Sequence, residues 1–109
     1  MFMSVCYQID ELLPKLTKSG KPYFEYLRTE SMSAGIYFIP KGGIDFQKPH
    51  REDELYYVVR GRARMTSGSN HFDVQAGSIL FVEAEMDHRF YDVAEDLAII
   101  VFFAPAEQE

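Results

Sequence analysis

The sequence has one cysteine, no tryptophan, no long hydrophobic run and no surplus of positive charge. Each shortage removes a class of protein. With Cys6 alone, no disulfide can form within the chain, and the default compartment is a reducing one, the cytoplasm. A lone cysteine with no histidine near it in sequence is also a poor nucleophile. The longest uninterrupted apolar run, Leu97 to Ala104, is far shorter than the roughly 20 residues a membrane-spanning helix needs. The first residues carry no basic stretch and reach Asp10 and Glu11 early, so no secretory signal is expected. A formal charge of −6 without a long Lys/Arg cluster repels polyanions, and nucleic acid is not an expected partner.

What is present is the material for one packed interior: 47% apolar residues and 15% aromatics, in 109 residues. That length fits a single domain, 1–109. Ile9, Leu12, Leu13 and Leu16 recur at helical spacing beside the potential N-cap Asp10, predicting a short amphipathic helix that ends before Gly20. Pro14 should shorten it or tighten its first turn. From Tyr23 the pattern changes to short Tyr/Phe/Val/Ile segments closed by Gly, Pro, Asn or Asp. Strands are expected near Tyr23–Arg28, Ser33–Ile39, Leu55–Arg60, Ala63–Ser67, His71–Val74, Ser78–Val82, His88–Asp92 and Leu97–Ala104. The connections Pro40–Gly43, Gly61, Gly68–Asn70, Ala76–Gly77 and Glu95–Asp96 carry turn chemistry. The prediction is an all-β fold, a small antiparallel meander closing into a barrel over 23–104, behind an N-terminal helical extension, 1–22.

The chemistry concentrates in the segment from His50 to Gly61. In extended chain His50 and Glu54 share a face, continued by Tyr56 and Val58, and that face looks inward. A carboxylate there needs a reason, because an ionised group without a partner in an apolar site costs several kcal/mol. A bound cation is such a reason. His88, on the same face as Phe90, supplies a second imidazole, and two imidazoles with one carboxylate suit a first-row divalent ion.

These residues resemble the two sequence motifs of the cupins. The first, G-x5-H-x-H-x3,4-E-x6-G, overlays Gly42, Lys48, His50, Glu54 and Gly61 with every spacing kept. The second, G-x5-P-x-G-x2-H-x3-N, overlays Gly77, Glu83, Glu85, His88 and Asp92. The resemblance covers about Ser33 to Ala104. It implies a jelly-roll barrel (double-stranded β-helix) holding one divalent metal ion (Fe, Mn, Zn, Ni, Co or Cu) through His50, Glu54 and His88. Lys48 replaces a family histidine, and an ammonium has no lone pair to give a metal. Gln47 is the nearest substitute, since Pro49 favours a path that brings Gln47 and His50 to one side.

The same residues also fit a metal-free hydrogen-bond network, and Lys48 fits either a solvated strand end or a substrate-facing cation. Arg60, Arg62 and Arg64 alternate, as an anion clamp at a barrel mouth or as the wet face of a sheet. His71 is expected at an exposed hairpin. Asp53 and Glu54, being adjacent on a strand, do not converge as a hydrolase pair. Two functional expectations follow: a mononuclear metalloenzyme, dioxygenase-like or an isomerase or decarboxylase, acting on a small organic molecule; or a non-catalytic module that binds or senses one. A homodimer is expected, because an open β edge otherwise invites aggregation.

Overall fold

The computed structural model describes residues 4–108, so the outermost residues of the predicted 1–109 domain lie outside the described part. Helix α1 spans Ile9–Ser19. Its stripe of Leu12 and Leu16 is buried against Ile36, with Phe24, Tyr26 and Phe38 packed around it. Full burial of each leucine contributes about 1.5–3 kcal/mol, enough to dock a helix too short to stand alone. The N-cap is Gln8 rather than Asp10, and it makes no side-chain capping bond. Asp10 and Glu11 sit instead in the first turn, where carboxylates meet the positive end of the helix dipole. Pro14 lies inside the helix, and the chain leaves it at Gly20 in the left-handed conformation.

Six strands follow: β1 (Tyr23–Arg28), β2 (Ser33–Ile39), β3 (Asp53–Ser67), β4 (Asn70–Gln75), β5 (Ile79–Val82) and β6 (His88–Ala104). All pair antiparallel, in the order β1-β2-β6-β3-β4, with β5 alongside the first half of β3. The expected meander is therefore corrected. After β2 the chain does not turn back into a neighbouring strand, and β6 comes between β2 and β3, the crossed connectivity of a jelly-roll barrel.

Two predicted turns are also absent. Gly61 lies inside the continuous strand β3, and Glu95–Asp96 inside β6, with the register slipping between Val58 and Arg64. At Gly61 φ is +99°, and a Cβ there would stand 2.3 Å from the Asp96 carbonyl oxygen. Only glycine fits a backbone pressed that close. The slip switches the inward face from Glu54, Tyr56 and Val58 to Ala63 and Met65. It also keeps Arg60, Arg62 and Arg64 outside, where all three are exposed and Arg64 pairs with Asp73 over the Tyr91 ring. The arginine row is the wet face of the sheet.

Inside, Tyr56, Val58, Met65, Phe90, Leu97 and Ile99 form the centre of the main core. Charge is admitted to this interior only at Asp45, Glu52, Glu54 and His88 among the described residues.

Candidate metal centre

His50 ends the segment that runs from β2 to β3, Glu54 and Tyr56 lie on β3, and His88 opens β6. Two backbone contacts hold these elements together: Glu54 stands opposite Val82 of β5, and the Glu85 N–H donates to the His50 carbonyl (2.6 Å). Ligand atoms of His50, Glu54 and His88 come within 4.8 Å of one another, a group that could hold a metal ion. Glu54 is 1% exposed and His88 2%, while His50 is half-buried.

Their hydrogen bonds assign the tautomers. His88 Nδ1 faces the Met86 carbonyl at 2.8 Å, and His50 Nδ1 faces Glu107 Oε2 at 3.1 Å. A carbonyl and a carboxylate only accept, so each Nδ1 carries a proton, and in the neutral imidazole that a metal requires each Nε2 turns a lone pair inward. His88 Nε2 then points at Glu54 Oε2 (3.2 Å), and His50 Nε2 at Glu54 Oε1 (3.7 Å). His50 Nε2 is buried with no hydrogen-bond partner. The Tyr56 hydroxyl, with one proton to give, lies 2.7 Å from Glu54 Oε1 and 2.9 Å from His88 Nε2. Converging acceptor atoms with so few protons among them suit a cation. An outer partner that fixes each imidazole is also how metal-binding histidines are held.

The proton affinities follow from this crowding. Burial raises the Glu54 carboxyl above the usual carboxylate range, outweighing the Tyr56 hydrogen bond and the pull of the two histidines. His50 is raised by its bond to Glu107, against the opposing effect of burial. Burial and the neighbouring Glu54 raise the Tyr56 phenol well above its ordinary value, which keeps it a donor.

Asp45 organises the surroundings. At 4% exposure it accepts four hydrogen bonds: Tyr37 Oη (2.9 Å) and the Gln47 N–H (3.0 Å) on Oδ1, and Gln47 Nε2 (3.1 Å) and the Phe90 N–H (2.9 Å) on Oδ2. Gln47, so held, places Oε1 3.1 Å from the Tyr56 hydroxyl oxygen. Gln47 and His50 also line one cavity of about 140 Å³, together with Tyr23, Tyr37, Phe103 and Glu107. Lys48 is exposed and lines no part of that cavity. His71 is exposed beside its hairpin, bonded to Tyr91, and Asp53 points outward to the Ala84 N–H.

The family follows from a match to the cupin domain over residues 35–103, which is most of the chain. The protein is a cupin. An uncharacterised protein of Streptomyces coelicolor is 40% identical over 101 residues, covering 93% of this cupin and 96% of the relative. An RmlC-like cupin of Shewanella frigidimarina superposes with a TM-score of 0.68 at 22% identity, covering 77% of this chain and 75% of the other. A DMSP lyase of Ruegeria pomeroyi superposes with a TM-score of 0.65 at 18% identity, over 70% of this chain and 39% of the lyase. At those identities the two structures establish the fold alone.

Three residues around this cupin's site went unread in the sequence. Asp45 stands in an irregular segment, where a carboxylate is ordinarily solvated. Tyr56 was legible as inward-facing, but not as a hydrogen-bond hub. Glu107 carries no local signal, since it follows the last strand and reaches His50 only through the fold.

Proposed function

We propose that His50, Glu54 and His88 hold one divalent metal ion, with the Gln47 amide oxygen as the candidate for a fourth ligand, and that the protein is a metalloenzyme acting on a small organic molecule. The observation that carries this is the His50 Nε2 lone pair, buried without a partner and aimed at a carboxylate. A divalent ion in this set supplies Lewis acidity, and iron adds the redox chemistry of two-histidine, one-carboxylate oxygenases. The chain's own contributions are separate. Glu107 and the Met86 carbonyl orient the imidazoles, Tyr56 donates to Glu54, and the aromatic wall beside His50 excludes water from a bound molecule. A DMSP lyase with this fold shows that such a barrel can carry catalysis.

Elemental analysis of protein purified without chelators or added metal tests the proposal. About one equivalent of a transition metal is expected, lost in His50→Ala. No stoichiometric metal, with affinity unchanged by His50→Ala, overturns it.

We further propose a homodimer through the outer face of β3 and β5. Leu55 stands beside Phe81 and Tyr57 beside Ile79, with Ile79 67% and Phe81 63% exposed. These four side chains carry no charge, so a second copy of an acidic chain can meet the same face across a two-fold axis without repulsion. Sedimentation should show a dimer that Phe81→Glu dissociates; a wild-type monomer at micromolar concentration refutes it. A cytoplasmic location is proposed on the strength of the unpaired, exposed Cys6.

A further inference from the structure

The cavity beside His50 has an unusual polar inventory. Gln47 and Tyr37 have committed their polar atoms to Asp45 and Tyr56. Glu107, whose Oε2 holds His50, offers acceptor lone pairs only. Tyr23 is the exception: its hydroxyl is buried and has no hydrogen-bond partner. An unmade hydrogen bond of a buried hydroxyl is unfavourable, and with no protein group satisfying it this hydroxyl is free for a partner from outside the chain. Burial, reinforced by the nearby Glu107 and Glu25 carboxylates, holds this phenol protonated above its ordinary range, so it has a proton to donate.

The fold makes room for this ring. Tyr23 on β1 stands opposite Tyr37 of β2 and leans over Gly35, where a Cβ would come within 2.1 Å of its hydroxyl oxygen. Its other neighbour is the Phe103 ring, edge-on at 6.4 Å between centroids. The remaining wall is Val101, and no Lys or Arg lines the space. At about 140 Å³ the cavity is close to one that accepts benzene.

We propose that Tyr23 is the specificity-determining residue of this cupin, donating a hydrogen bond to an uncharged, hydroxylated single-ring molecule seated between His50 and the Tyr23 hydroxyl. The ring packs on Phe103 and Val101, a ligand oxygen accepts from Tyr23, and a ligand hydroxyl donates to Glu107. In the metal-free protein a carboxylate or phosphate would face Glu107 with no Lys or Arg in the lining and is disfavoured. The inference rests on the metal reading only for which end of the ligand reacts and for the charge an ion at His50 would add; Tyr23 and the cavity walls do not depend on it.

The test is titration of resorcinol, and separately benzoate, into metal-free and Zn²⁺-loaded protein, followed by ¹H–¹⁵N NMR shifts and calorimetry. Resorcinol should bind both forms, shifting the signals of Tyr23, Phe103 and Glu107, and benzoate should bind the metal-free form at least tenfold more weakly. Tyr23→Phe should bind resorcinol about three- to tenfold more weakly. That variant should also melt at or above the wild-type temperature, because it removes an unsatisfied hydroxyl rather than a structural bond. Gly35→Ala should drive the Tyr23 ring into the cavity and abolish binding. Benzoate binding the metal-free form as well as resorcinol, or Tyr23→Phe binding resorcinol undiminished, overturns the proposal. Protein that takes up no Zn²⁺ yet binds resorcinol through Tyr23 overturns the metal reading and leaves this one standing.

Discussion

His50 Nδ1 and Glu107 Oε2, from opposite halves of the chain, meet at 3.1 Å. The segment that brings Glu107 there is fastened at several points. Its N–H donates to the buried Ser33 hydroxyl (2.8 Å), its carbonyl accepts from Arg28 (2.7 Å), and the next N–H donates to buried Glu52 (3.1 Å). A carboxylate held this firmly fixes the His50 ring and raises its basicity.

Glu107→Gln keeps the shape and removes the charge. Metal affinity at pH 8 should fall about 10- to 100-fold. The lower limb of the pH–loading curve should move to lower pH, because His50 loses the group that most raises its proton affinity. Competition titrations with a metallochromic indicator at several pH values read both effects, and an unchanged affinity at pH 8 would count against a positioning role.

The pH dependence of stability should have opposite signs with and without metal. His50 and Glu54 both hold their protons more tightly in the folded chain than in the unfolded one. Their contribution to the metal-free protein is therefore fully present below the unfolded values, about 6.5 for the imidazole, and is lost as pH rises through the folded ones. Metal binding requires the deprotonated forms, so the stabilisation by excess metal grows over the same range. Thermal melts by circular dichroism from about pH 5 to pH 8 should show the metal-induced shift widening; a constant shift points to other ligands.

Asp45→Ala strands four donors at once, the Tyr37 hydroxyl and three N–H groups, two of them from Gln47. Each buried donor left unpaired costs about 1–3 kcal/mol, with water relieving part of it at half-buried Gln47. A loss of at least about 3 kcal/mol in urea unfolding is expected. Tyr37→Phe removes one of those donors and should cost about 1 kcal/mol.

Two glycine exchanges should act in opposite directions. Gly61→Ala forces a Cβ against the Asp96 carbonyl at positive φ and should destabilise by at least about 2 kcal/mol. Glu85, where the family motif has glycine, holds φ +67°. Glu85→Gly relieves that strain and, after the entropy of the freer unfolded chain, should gain up to about 1 kcal/mol. Equal signs for the pair in denaturant titrations would contradict this account.

The sequence by itself determined the barrel class, the helix stripe and the grouping of His50, Glu54 and His88. Those are local matters: alternation decides which side chains of a strand share a face, and motif spacing fixes how many residues separate the ligands. It could not distinguish a turn at Gly61 from a slip within one strand, because a positive φ serves both, and the close Asp96 backbone that decides the matter belongs to β6. Strand patterns alone read as a meander, since they do not encode which neighbour each strand chooses; the jelly-roll order was legible only through the resemblance of the two motifs to those of cupins. Tertiary structure alone decided the outer shell. Asp45, Glu107 and the unpartnered Tyr23 hydroxyl take their roles from groups distant in the chain, and whether a carboxylate is solvated or buried among donors is settled only when those groups arrive.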